Sequence, residues 1–99
     1  VAFDRKTRTL LYGPHRIPVR GKVMAGTCAE IIERSKQAKW GFVDEDDILD
    51  EVFNETDTAD PRYSRSIRDA AIRLNRNVEK AVGKKSLFLY QNGKIRVNV

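Results

Sequence analysis

The chain has 99 residues, with 19 Lys/Arg against 14 Asp/Glu and a formal net charge of +5. That is one domain's worth of chain, enough for one modest core. A single cysteine, Cys28, excludes an internal disulfide framework and fits a reducing compartment. No apolar run approaches the roughly 20 residues of a membrane span and no stretch reads as a signal peptide, so a soluble, cytoplasmic protein without membrane attachment is expected. The chain starts at Val1 rather than Met and is expected to be part of a longer protein.

The opening reads as strands. In "TLLYGPHRIPV" (9–19) two apolar runs flank Gly13-Pro14, a strong turn signal, and Pro18 restricts the second run to an edge or an irregular strand. A small hairpin is expected, with "VAF" (1–3) as a further strand. Over 22–38 the period becomes helical: Met24, Cys28, Ile31, Ile32 and Ser35 form one stripe, with Glu30, Glu33, Arg34 and Lys36 on the other side. Gly26 weakens the front of this helix by about 1 kcal/mol relative to Ala. Trp40-Gly41 ends it, and "FV" (42–43) is too short to stand alone but could add a rung to a sheet.

"DEDDILDEVF" (44–53) predicts a short helix. Asp44 can cap it, Asp46 and Asp47 suit the positive end of the helix dipole, and Ile48, Leu49, Val52 and Phe53 supply the buried stripe. "NETDTADPR" (54–62) reads as a polar loop ending in Asp60-Pro61, a cap followed by a first-turn proline. A long helix is predicted from about 61 to 82, with Gly83 as its stop. At about 100° per residue, Ala71, Leu74, Val78 and Ala81 fall near Ile67. Arg65, Asp69, Ile72 and Arg76 take the opposite side, with Arg68 and Arg73 flanking. Last, Leu87–Tyr90 and Ile95–Val99 flank Gln91-Asn92-Gly93-Lys94, and Asn-Gly between β-prone runs signals a hairpin whose Ile95, Val97 and Val99 share a face.

Charge is unevenly spread along these elements. Residues 1–22 hold six Lys/Arg and one Asp, a net +5; 23–60 hold three against eleven, a net −8; 61–99 hold ten against two, a net +8. An acidic third repels phosphates, so a polyanion should meet the C-terminal third, with the N-terminal basic stretch as an accessory. Two strands, a helix, a short acidic helix, a long basic helix and a basic hairpin make an α+β order. A basic second member of a helix-turn-helix pair followed by a hairpin is the winged helix-turn-helix arrangement. It divides a single domain, 1–99, into N-terminal strands (1–20), a three-helix core (22–82) and a wing (84–99).

From "FDRKTRTLLYGPHRIPV" to its end, the chain resembles the winged-helix effector domains of OmpR/PhoB-type response regulators. "VDEDDILDEVF" is similar to the family's second helix and "SRSIRDAAIRLNRNVEK" to its recognition helix, with Arg65-Ser66-Ile67 and Arg73-Leu74 at matching places. The resemblance implies sequence-specific binding of double-stranded DNA and a role in transcription regulation. It also implies that the loop 54–62 can touch RNA polymerase; dimerisation on DNA would rest on regions outside this chain. Three departures stand out: Arg68 replaces a common acidic residue, Asn75 a common basic one, and the wing lacks the usual Arg-Gly-x-Gly-Tyr run.

On this reading the DNA-binding candidates are Arg62, Ser64, Arg65, Arg68, Asp69, Ile72, Arg73 and Arg76, with Lys84, Lys85, Lys94 and Arg96 around the wing. By family match Arg65 and Arg73 are phosphate clamps. Arg68 and Arg76 can bridge guanine, Asp69 can accept from cytosine, and Ile72 can touch a thymine methyl. For Lys94 and Arg96 the other reading is edge-strand charge that blocks aggregation. Tyr90 fits a packed wing better than a stacking platform.

Other chemistry finds little support. Asp44–Asp47 lacks the calcium-loop pattern, and His15 with Cys28 builds neither a nucleophile–base pair nor a zinc set. Asn54-Glu55-Thr56 matches a glycosylation acceptor by chance, and no glycine-rich phosphate loop occurs. Neither an enzyme nor a cofactor is expected. The competing reading is a winged helix used as a protein-interaction module without DNA binding. RNA binding is disfavoured by the lack of an outward aromatic pair.

Overall fold

The computed structural model describes residues 1–56 and 67–99, with the backbone alone for 53–56. Among the described residues the architecture is α+β, three helices with two small antiparallel sheets. The order is β1 (Ala2–Asp4), β2 (Thr9–Tyr12), β3 (His15–Pro18), α1 (Lys22–Gln37), β4 (Val43–Asp44), α2 (Glu45–Thr56), α3 (Ile67–Val82), β5 (Phe88–Gln91) and β6 (Lys94–Val97).

The first sheet is a meander, β1-β2-β3, with Pro18 on its edge strand as the sequence requires. Asp4 Oδ1 accepts from the Lys6 and Thr7 amides and closes the first turn. Gly13, at φ 58°, occupies the first central position of the second, a conformation open to glycine. Phe3, Leu10 and Ile17 are register partners on one face, and Leu10 and Ile17 are buried there.

That face rests on α1, which also packs against α2, α3, β4 and β6. The buried stripe of α1 includes Ala25, Cys28, Ile31, Ile32 and Ser35. Glu30 departs from expectation: it is buried, not on the solvent side. Arg5, carried over α1 by the β1–β2 turn, donates to Glu30 Oε1 at 2.9 Å and to both Glu33 oxygens, while Arg34 Nε donates to Glu30 Oε2 at 2.9 Å. A buried carboxylate is tolerated when its oxygens are satisfied this way.

Beyond α1, Lys39 and Trp40 adopt positive φ, and the Trp40 amide donates back to the Ser35 carbonyl at 2.6 Å. A Cβ on Gly41 would lie 2.9 Å from the Ala38 carbonyl, so only glycine fits. The fully buried Ser35 hydroxyl donates to the Gly41 carbonyl and accepts from the Val97 amide. This lays residues 43–44 beside β6: Val43 pairs Ile95 and Asp44 pairs Lys94. The C-terminal hairpin is therefore one part of a three-stranded sheet, β4-β6-β5.

Asp44 Oδ1 accepts from the Asp46 amide, the cap expected for α2. The helix runs to Thr56, past the expected end at 53, because Asn, Glu and Thr cost only tenths of a kcal/mol in a helix. In α3 the expected stripe is buried at Ile67, Ala71, Leu74 and Val78, whereas Ala81 is exposed. Gly83, at φ 77°, donates to the Glu79 carbonyl and stops the helix. The Asp60-Pro61 start lies outside the described residues. Asn92 and Gly93, at φ 49° and 77°, turn β5 into β6. Val99 lies beyond the last strand pair, Phe88–Val97, and is 61% exposed, so it does not extend the apolar face.

Candidate nucleic-acid interface

Burying Ile67, Ala71, Leu74 and Val78 leaves Arg68, Asp69, Ile72, Arg73 and Arg76 exposed on the opposite side of α3. No salt bridge among the described residues engages Arg68, Arg73 or Arg76. Their positive field is therefore directed outward, with Asp69 as the one carboxylate beside them on this face of α3. Ile72 stands among them 42% exposed, an apolar side chain of a size usually given to cores. The candidates Arg62, Ser64 and Arg65 lie outside the described residues, as do 57–62 of the proposed polymerase-contact loop.

On one flank α3 is bound to the hairpin sheet. Asn75 Nδ2 donates to the Phe88 carbonyl at 2.9 Å, and the Phe88 amide donates to Asn75 Oδ1 at 2.8 Å. Phe88 lies on β5, the outer strand of its sheet, so the Asn75 amide satisfies an edge peptide group as another strand would. Asn75, at a position where the resembled family is commonly basic, thus has a positioning role.

Tyr90, also on β5, donates to Glu45 Oε2 at 2.8 Å, and the Glu45 amide donates to the Gly93 carbonyl at 3.0 Å. Both bonds hold the hairpin against the start of α2. The hydrogen bond that the phenol donates to Glu45, with desolvation and the carboxylate's charge, raises the Tyr90 pKa; the nearby Arg68 charge opposes this.

The hairpin cations differ in setting. Lys94 is exposed at the turn end of β6. Arg96 is half-buried with its guanidinium 5.5 Å from the centroid of the Phe42 ring, a cation–π contact. The edge-strand reading of Lys94 and Arg96 is corrected, because β6 is the central strand, between β4 and β5. Lys84 and Lys85 lie in the link from α3 to β5, Lys84 half-buried and Lys85 exposed.

On the other flank, α3 faces the corner between β3 and α1 across a cleft of about 990 Å³. Arg73, Arg76 and Lys80 line it from α3, and Arg20 and Lys22 from the corner. Arg20, Lys22 and Lys80 were absent from the sequence-derived candidates. For Arg20 and Lys22 the only signal was the basic N-terminal stretch, which carries no information about where its side chains meet α3; for Lys80 it was the basic C-terminal third. Asn75 had a signal, a polar residue about 70° from the middle of the buried stripe on the helical wheel.

Elsewhere, His15 is exposed on β3 and Cys28 is buried in α1, where desolvation pushes its thiol pKa well above the ordinary range. Among the described residues no three His, Cys, Asp or Glu side chains converge to hold a metal ion, and no helix is long and apolar enough to cross a membrane. No family model matches the chain, and no curated protein or solved structure shows significant similarity to it.

Proposed function

We propose that the chain is a winged-helix domain that binds double-stranded DNA sequence-specifically, with α3 in the major groove and the β5–β6 hairpin as a wing on the backbone. The observation that carries this reading is the outward face of α3: Arg68, Arg73 and Arg76, engaged by no salt bridge among the described residues, around an exposed Ile72. A major groove about 12 Å wide admits one helix, and arginines and an aliphatic side chain match base edges and the thymine methyl. The element order supports it, since β4 between α1 and α2 pairs with the second hairpin strand. The Asn75 bonds would hold α3 and the wing as one reading unit, and the Tyr90 bond would fix that wing against α2.

A role in transcription regulation follows as part of the proposal, of the kind the OmpR/PhoB resemblance implies, with no catalytic chemistry of its own. The test is a titration with a generic duplex at low salt, followed by backbone amide shifts. The expected shifts concentrate in 62–77 and 84–96 and fade as salt is added. If about six phosphates are neutralised, log K falls against log salt with a slope near −5. Shifts confined to the acidic α2, or a flat salt response, would favour a protein-docking module instead.

A further inference from the structure

The cleft beside α3 is not accounted for by a reading helix and a wing. A helix in the major groove has a phosphate wall on each side. The hairpin stands beside one flank of α3, where Asn75 binds Phe88. Beside the other flank stands the β3–α1 corner, and there Arg20 and Lys22 share a cleft with Arg73, Arg76 and Lys80. Arg20, Lys22, Arg73, Arg76 and Lys80 are all exposed, and no salt bridge among the described residues engages them. Among the described residues, Asp69 is the one carboxylate that lines the cleft with these five cations, above an apolar floor that includes Met24, Leu49 and Val52. The α1 terminus adds to the same field: Gly21 supplies no side-chain cap and the first turn has no acidic residue, so the helix itself does not offset its partial positive charge.

We infer that this cleft is a second phosphate clamp, in which Arg20 and Lys22 hold the DNA backbone on the side of α3 away from the hairpin. The inference rests on the proposed DNA binding and adds to it a contact from the N-terminal third of the chain. Contacts of this kind set register and affinity without reading sequence. Each neutralised phosphate contributes about 0.9 to the salt slope. Arg20 and Lys22 together therefore account for a slope change of about 1.8.

The experiment compares the salt dependence of duplex binding for the unaltered protein, Arg20→Ala/Lys22→Ala, and Lys6→Ala/Lys36→Ala. The last pair removes the same charge from exposed positions outside the cleft. All four side chains are exposed, and matched melting temperatures verify that each variant folds. The expected result is a slope shallower by about 1.8 for the cleft variant alone, with equal weakening on every duplex, and recovery in Arg20→Lys/Lys22→Arg. If the cleft variant keeps the unaltered slope, or loses no more than the Lys6/Lys36 control, the clamp is refuted while DNA binding by α3 stands. If the unaltered protein shows no salt-dependent binding, both readings fall together.

Discussion

Asn75 and Phe88 form a two-point hydrogen-bonded pair that joins α3 to β5, with the Asn75 amide donating and accepting once each at 2.9 and 2.8 Å. Two elements meant to contact one rigid ligand must hold a fixed relative orientation, and side-chain packing alone permits sliding. Here the β5 main chain is held in register by the helix, since both polar groups of one peptide position are engaged. Asn75→Ala leaves the Phe88 amide and carbonyl on a strand edge without a partner. The expected cost is about 1–3 kcal/mol. At about 4–8 °C per kcal/mol for a domain of this size, thermal melting resolves it easily. The Phe88 amide should also exchange faster with solvent. An unchanged melting temperature and unchanged exchange would show that the pair holds nothing.

Tyr90 gives a pH signature. Its hydrogen bond to the Glu45 carboxylate, reinforced by desolvation, raises the phenol pKa in the folded state. A folded-state value above the unfolded one contributes stability that is fully present below the unfolded tyrosine value near 10 and is lost as pH rises through the folded value. Phenolate absorbance should therefore include a late-titrating phase from Tyr90. Tyr90→Phe should abolish that late phase, and Glu45→Gln should move it down. A single phase at the ordinary value in the unaltered protein would contradict the bond.

Cys28 reports on opening of the core. It is fully buried in α1, and burial pushes its thiol above the ordinary range, which suppresses the reactive thiolate. Thiol reagents should label the native protein only at the rate of unfolding, and immediate labelling should follow addition of denaturant. Rapid labelling of the native state would mean that α1 opens locally without global unfolding.

On the proposed DNA surface, Arg73 and Arg76 should behave differently. Arg73→Ala is expected to weaken binding to all duplexes alike, as loss of a phosphate contact does. Arg76→Ala is expected to alter preference between sequences by about 1–3 kcal/mol at one base pair. Competition binding with a randomised duplex pool distinguishes the two. Equal losses on every sequence from both changes would remove Arg76 from the reading set.

Local energetics decide much of this molecule from its sequence alone. Gly13-Pro14 and Asn92-Gly93 determine two reversals because their φ values exclude most other conformations. The 3.6-residue period places Ile67, Ala71, Leu74 and Val78 inward and so turns Ile72 and the arginines outward; Gly83 stops the helix, and Asp44 starts the acidic one. These rules act within a few residues, so each was legible before any tertiary contact was known. The end of α2 was misplaced because nothing in Asn54-Glu55-Thr56 is energetic enough to break a helix.

Only the tertiary structure decided what meets across long stretches of chain. Glu30 reads as a solvent-facing residue until Arg5 arrives from another element, and Asn75 reads as a family departure until Phe88 lies against it. Val43 becomes a strand residue only beside Ile95, and the Arg96 guanidinium finds Phe42 by the same pairing. Arg20 and Lys22 share a cleft with Arg73 because α1 and α3 bury their apolar stripes in one core. Periodicity and turn chemistry say which side of an element is buried. They say nothing about which distant side chain lies opposite, because that is chosen by the packing of the whole core rather than by any short segment.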